Sequence, residues 1–270
     1  MKIKTLFAVA ALSISCFGYA EDMQNRQTSS DLQPLNGVRV SMQRMLTSSE
    51  GRYFMSLYAG ITHPHATLID LMANNRMNLR GDQKGDQIQM TAPADALSRT
   101  GYEFNGVLNA NSGVMKGTLQ NKQDATSKTL QFEPAFKVAN KPVFIFKFYG
   151  MADSTQSTQR VMKRVDVLNK NTGKVVQSLT GFSGFSNSIG YMDINFDGYY
   201  DVILSDVSQG RDVTDKRYIY WMYNPKTNQF QRSSQLEKIV GFPELHGEKQ
   251  QIDFGNGQVY QVTNGLLNRL

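Results

Sequence analysis

Short runs of β-branched, aromatic and aliphatic residues, broken every few positions by polar or glycine-bearing turns, restrict this chain more than any other feature. Such runs occupy residues 38–42, 53–58, 87–90, 102–108, 114–119 and 129–132. In the fourth, Tyr102, Phe104 and Gly106 alternate with polar neighbours, the period of a strand with one buried face, and Asn109-Ala-Asn-Ser-Gly113 then reads as a hairpin loop. Long amphipathic helical repeats are missing; only residues 92–97 and 233–239 invite a helical turn. The expected fold is all-β. An antiparallel β-rich domain, a small sheet or partly closed barrel, spans residues 36–138, and a β-meander of propeller-like, blade-like character spans 139–270. The boundary falls where Val138-Ala-Asn-Lys-Pro142 interrupts the pattern. A mature length of about 250 residues fits two compact units better than one small core.

In the second unit, residues 143–149, 164–168 and 175–179 read as strands, the last two joined by the Asn169-Lys-Asn-Thr-Gly173 turn. Tyr218-Ile-Tyr-Trp-Met-Tyr223 carries aromatic side chains on both faces before Asn224-Pro-Lys-Thr-Asn228 turns the chain into Phe230. Between two further strand-like runs lies Asp193-Ile-Asn-Phe-Asp-Gly-Tyr-Tyr-Asp201, spaced D-x-N-x-D-G-x-x-D. The side chains of Asp193, Asn195, Asp197 and Asp201 and the carbonyl of Tyr199 offer hard oxygen ligands around the bend that Gly198 permits, the spacing of a Ca2+ loop. Position twelve, where a helix-loop-helix sensor has a bidentate Glu, is Leu204, so a structural ion is expected rather than a signalling one. The competing account is an Asx-rich turn that holds no metal.

The first residues set the compartment. Met1-Lys-Ile-Lys4 is basic, residues 6–17 are apolar, and Gly18-Tyr-Ala20 supplies small residues before a cut, which together make residues 1–20 a secretory signal peptide. A lipoprotein signal using Cys16 is the weaker alternative, because Ser13 stands where a large aliphatic residue is expected. A soluble periplasmic protein follows, with residues 21–35 as a flexible leader and no later segment of membrane-spanning length. Cys16, the single cysteine, leaves with the signal, which excludes disulfides and thiol chemistry from the mature chain. The mature net charge of about +4 carries no Lys/Arg block, and secretion argues further against nucleic acid.

Catalytic constellations are weak. His63 and His65 flank Pro64 without a third partner, His246 sits in a polar stretch, and Ser183 and Ser186 lack the strand-to-helix setting of a nucleophile elbow. A binding protein is therefore expected, not an enzyme.

The loop from Asp193 to Asp201, followed by Val-Ile-Leu, resembles the calcium loop of integrin-type propeller repeats. The wider stretch, carried by residues 165–177, 192–204 and 220–230, resembles the C-terminal part of periplasmic immunity proteins that inhibit lysozyme-like peptidoglycan hydrolases. The resemblance implies a Ca2+-stabilised inhibitor that plugs the carboxylate-lined cleft of a secreted hydrolase effector. Candidate contact residues are Tyr191, Tyr199 and Tyr200 near the ion and Arg211, Lys216 and Arg217 in the polar stretch 208–217. A carbohydrate- or peptidoglycan-binding module with sugar-stacking tyrosines is an alternative, and a secreted hydrolase with unidentified acids is a second.

Overall fold

The computed structural model describes residues 32–60, 63–93, 101–151, 161–208 and 210–270. The signal peptide, Cys16 and most of the leader lie outside them, as do residues 94–97 of the helical turn expected at 92–97, whose first residue, Ala92, ends a strand.

After a two-residue strand β1 (Gln33–Pro34) come eight strands: β2 (Val40–Ser48), β3 (Tyr53–Ala59), β4 (His65–Asp70), β5 (Asn75–Lys84), β6 (Gln87–Ala92), β7 (Tyr102–Leu108), β8 (Met115–Asn121) and β9 (Ser127–Pro134). Each pairs antiparallel with the next, and β9 returns to β2 through Leu46 opposite Pro134 and Ser48 opposite Phe132. An eight-stranded up-and-down barrel is thereby closed, which leaves it no free edge. Its interior is filled by Leu57, Leu68, Leu79, Ile88, Met90, Phe104, Met115 and Phe132, with the Phe104 and Phe132 rings edge-on at 6.2 Å. Gly106 and Gly117 face each other on β7 and β8 because the Phe104 ring lies across them. A Cβ at Gly117 would stand 2.6 Å from Phe104 Cζ, and one at Gly106 2.7 Å from Cε1.

The strands β4 and β5 were not among the expected runs. Along β5 only Met77 and Leu79 are buried among polar, exposed neighbours, so its apolar signal is two residues long. His65, one of the two histidines that flank Pro64, begins β4 and stacks on Tyr58 at 4.6 Å.

The second unit holds β10 (Phe144–Met151), β11 (Val161–Asn169), β12 (Val175–Leu179), β13 (Gly184–Met192), β14 (Asp201–Asp206), β15 (Tyr218–Asn224) and β16 (Gln229–Arg232). β1 pairs with β10, and Leu35 is buried in this unit's core, so the end of the segment expected as leader is part of the sheet. β2 belongs to both units. Val40, Ser41 and Met42 run parallel to Ile189, Gly190 and Tyr191 of β13, while the other half of β2 closes the barrel. The turns at 109–113 and 169–173 are built alike. Asn109 and Asn169 each accept from the N–H groups two and three residues on, and the Lys170 ammonium bonds Asn111 Oδ1 at 2.9 Å, joining the two tips.

A separate antiparallel sheet, β17 (Glu244–His246), β18 (Gln251–Asp253), β19 (Val259–Thr263) and β20 (Leu266–Arg269), completes the chain. Its Leu245, Ile252, Phe254 and Val262 share a core with Met45, Phe54 and Ile69 of the barrel wall. His246, expected in a polar stretch, therefore lies on a strand. The expected helical turn at 233–239 is a short 3-10 turn over Leu236–Lys238.

Candidate metal centre

The Asp193–Asp201 segment links β13 to β14, and its alternation decides its orientation. Ile194 and Phe196 enter the core shared with the C-terminal sheet, and Phe196 packs on Phe136 at 5.4 Å. Asp193, Asn195 and Asp197, in the positions between, carry the polar bonds of the turn. Phe196 takes a left-handed φ of 57° and Gly198 one of 90°. At Gly198 a Cβ would also meet Val138 Cγ1 at 2.8 Å, so the sharp bend and the close packing of the interdomain segment both require glycine.

The carboxylates hold the backbone of the turn. Asp193 accepts from the N–H of Asp197 at 3.0 Å and of Gly198 at 2.8 Å, and Asp197 accepts from the N–H of Tyr199 at 2.9 Å. Asp201 turns one oxygen to the N–H of Ile194 at 2.9 Å and the other to that of Tyr223 at 2.8 Å, fastening the loop to β15. Asn195 Nδ2 donates to Asp197 at 2.9 Å, which leaves Asn195 Oδ1 buried without a partner.

Negative charge is held here at a cost. Asp193 is 3% exposed, and burial together with the neighbouring Asp197 pushes its carboxyl up to about 7. Burial raises Asp201 well above the carboxylate range. Lys141 is the nearby cation: burial brings its ammonium down to about 8, against the pull of Asp193, Asp197 and Asp201, and its Nζ stands 3.3 Å from the centre of the Tyr200 ring.

Among the described residues no three carboxylate, imidazole or thiol side chains are placed to hold a metal ion. The donors present are oxygens of mixed kind. Carboxylate oxygens keep a lone pair beyond one N–H bond, and Asn195 Oδ1 is wholly unsatisfied. This chemistry fits a hard cation such as Ca2+ around Asp193, Asn195 and Asp197, with the Tyr199 carbonyl next in the turn. Asp201 serves as the strap between the turn and β15.

The other expected site residues divide between two ends of β14. Tyr191 is buried against Phe146 and Tyr200, its hydroxyl raised far above the ordinary tyrosine range by burial, and Tyr200 lies beneath Lys141. Tyr199 stacks on Tyr223 at 5.3 Å. Arg211, Lys216 and Arg217 belong to the β14–β15 connection at the far end of that strand. Six residues separate the two ends, roughly 20 Å of strand. There Arg211 pairs with Asp206, Arg217 donates to the Lys238 carbonyl at 3.2 Å, and Lys216 is exposed with φ 50°. Lys141 was missed because it lies in a stretch legible only as a domain boundary; no local pattern ties it to a loop fifty residues on.

Among the described residues no helix is long and apolar enough to cross a membrane. No family model matches the chain, and no curated protein matches its sequence.

Proposed function

We propose that this chain is a calcium-stabilised periplasmic immunity protein that binds a secreted, lysozyme-like peptidoglycan hydrolase and occludes its cleft. The carrying observation is the β14–β15 connection, a braced, exposed turn that carries Arg211, Lys216 and Arg217 alongside Asp212 and Asp215. Asp206 accepts from Ser208 N–H at 3.0 Å and pairs with Arg211, while Asp212 and Asp215 cap the 3-10 turn Val213–Asp215 reciprocally. Arg211, Val213 and Lys216 are exposed on it, with Phe242 close by against Tyr218. Exposed Arg211 and Lys216 on a capped turn with an apolar flank offer cations to a groove lined with carboxylates, and the capping limits the order lost on docking.

Calcium, when bound, supplies positive charge to the buried carboxylates of the Asp193–Asp201 turn. Asp193 and Asp197 hold the turn's N–H groups, Asp201 ties it to β15, and β14 carries that order to the projection. The antiparallel meanders β13–β16 and β17–β20 serve as two blade-like units of a propeller-type second domain. Sugar stacking is the weaker role, because Tyr191, Tyr199 and Tyr200 pack on other rings and Phe242 is the one aromatic among the strongly exposed large apolar residues described.

The test is lysis of cell walls by a lysozyme-like hydrolase, followed by turbidity. Stoichiometric inhibition by the native chain is expected, weakened by Lys216→Ala, which removes an exposed side chain, at unchanged melting temperature. Binding to isolated peptidoglycan with no effect on lysis would replace the immunity role with a wall-binding one.

A further inference from the structure

The mouth of the barrel holds a charge that none of the described residues pairs with. Arg44 lies on β2 opposite Leu57, an interior barrel residue, so its side chain enters the same end of the barrel. It is 7% exposed, yet among the described residues its guanidinium donates no hydrogen bond and makes no ion pair. Arginine cannot shed its proton in a protein, so the charge of this largely buried side chain has only the solvent of the adjoining clefts to face.

The guanidinium borders two clefts. One, of about 550 Å³, opens between β2, the 109–113 turn, the interdomain segment and the Asp193 loop. The other, of about 430 Å³, is ringed by the β5–β6 and β7–β8 turns at the barrel mouth. Both volumes suit a small ligand, and barrel mouths are common binding places. The acids that line these clefts are engaged or remote. Glu133 is paired with Lys137, and Asp193 holds the N–H groups of Asp197 and Gly198. Asp86 is exposed on the second rim and makes no ion pair with Arg44. Lys141 lies near enough to repel Arg44, but its own charge faces the carboxylates of Asp193, Asp197 and Asp201, so Arg44 is the cation left without a counterion among the described residues.

We propose that the barrel mouth is a binding site for a small monocarboxylate, gripped by Arg44 in the fork-to-carboxylate geometry. The planar guanidinium presents paired N–H donors that match a carboxylate's two oxygens. One unpartnered cation balances one negative charge, which favours a carboxylate over a phosphate dianion. Asn111 and Tyr200 stand on the same walls to contact the rest of the ligand. This site does not depend on the calcium or immunity proposals.

The experiment titrates the full mature chain, freed of metal with a chelating resin rather than a carboxylate chelator, with N-acetylglycine at constant ionic strength. The Nε–H resonance of Arg44 is followed by NMR, assigned through Arg44→Met. Saturable movement of that resonance is expected, and Arg44→Met should weaken binding about ten-fold or more, measured on the backbone amides of residues 110–113. Because replacing a buried charge by an apolar side chain is often neutral or stabilising, Arg44→Met is expected to melt no lower than the native chain. Asp86→Asn should bind as the native chain does. Three outcomes would overturn the proposal: no saturable shift, tighter binding of inorganic phosphate than of N-acetylglycine, or binding seen only in Asp86→Asn, which would make Asp86 the counterion.

Discussion

The barrel and the Asp193–Asp201 turn solve the same problem, satisfying a buried backbone, in opposite ways. The barrel does so by closure: every strand from β2 to β9 has a neighbour on both sides, and its interior is apolar below the Arg44 side chain at the mouth. The turn has no ladder to join, so carboxylates serve its N–H groups, and their charge is buried with them. Closure depends on volume and shape, whereas the turn depends on charge. The first should therefore be insensitive to pH and metal, and the second sensitive to both. Their shared strand β2 sets how far damage in one reaches the other.

The largest effect is expected from Phe104→Ala. Emptying the space beneath Gly106 and Gly117 should cost about 3–5 kcal/mol in denaturant unfolding. Hydrogen exchange should rise in both units, because β2 loses its barrel partners. Protection kept in β13 and β14 would show that the second unit stands without the barrel.

Asp201→Ala comes next. It strands the buried N–H groups of Ile194 and Tyr223, which places the loss at roughly 2–4 kcal/mol. Faster exchange should be confined to residues 189–224, and loosening of β6–β8 would break the contrast between the two regions.

Calcium itself should stabilise by about 2.7 kcal/mol at a hundred-fold excess over its dissociation constant, read as a raised melting temperature. In Asp193→Ala/Asp197→Ala that gain should vanish. An equal gain in the double variant would place the ion elsewhere.

The pH dependence follows from Asp193. Its folded value, about 7, lies above the ordinary 3.8, so the folded ion-free protein takes up a proton that the unfolded chain releases. That contribution is complete below about pH 4 and is lost as pH rises through 7, and Asp201 shifts in the same direction. Melting temperatures of resin-treated protein should fall across this window, while added calcium should lift the upper end most. Parallel curves with and without calcium would show that the ion and the carboxyls are unconnected.

The smallest effect belongs to the surface. Arg232 clasps Glu237 through two bonds of 2.7 Å, but both side chains are partly in water, and Glu237→Gln should cost only about 0.5 kcal/mol in either unit's unfolding.

Much of this was legible in the sequence because strand and turn signals are local. The alternation of Tyr102, Phe104 and Gly106 marks β7, and the paired Asn-x-Asn-x-Gly turns mark two hairpins whose asparagines cap them as composition suggests. Strands β4 and β5 escaped because a barrel strand needs only one apolar face, and in β5 that face is Met77 and Leu79. The C-terminal sheet escaped for a related reason: each of β17, β18 and β19 buries a single residue, Leu245, Ile252 and Val262.

By itself the sequence determined the all-β class, the hairpin turns at 109–113, 169–173 and 224–228 and the polar register of the Asp193–Asp201 turn, since each depends on residues within about a dozen positions of one another. Only the tertiary structure decided that the barrel closes, that Tyr191 faces a core, and that Arg211 and Lys216 lie a strand's length from Asp193. It also decided that Lys141 meets a turn about fifty residues away and that Arg44 is buried without a counterion among the described residues. These depend on pairings between distant strands and on which faces become dry, and burial sets the charge balance of a side chain only once such pairings exist.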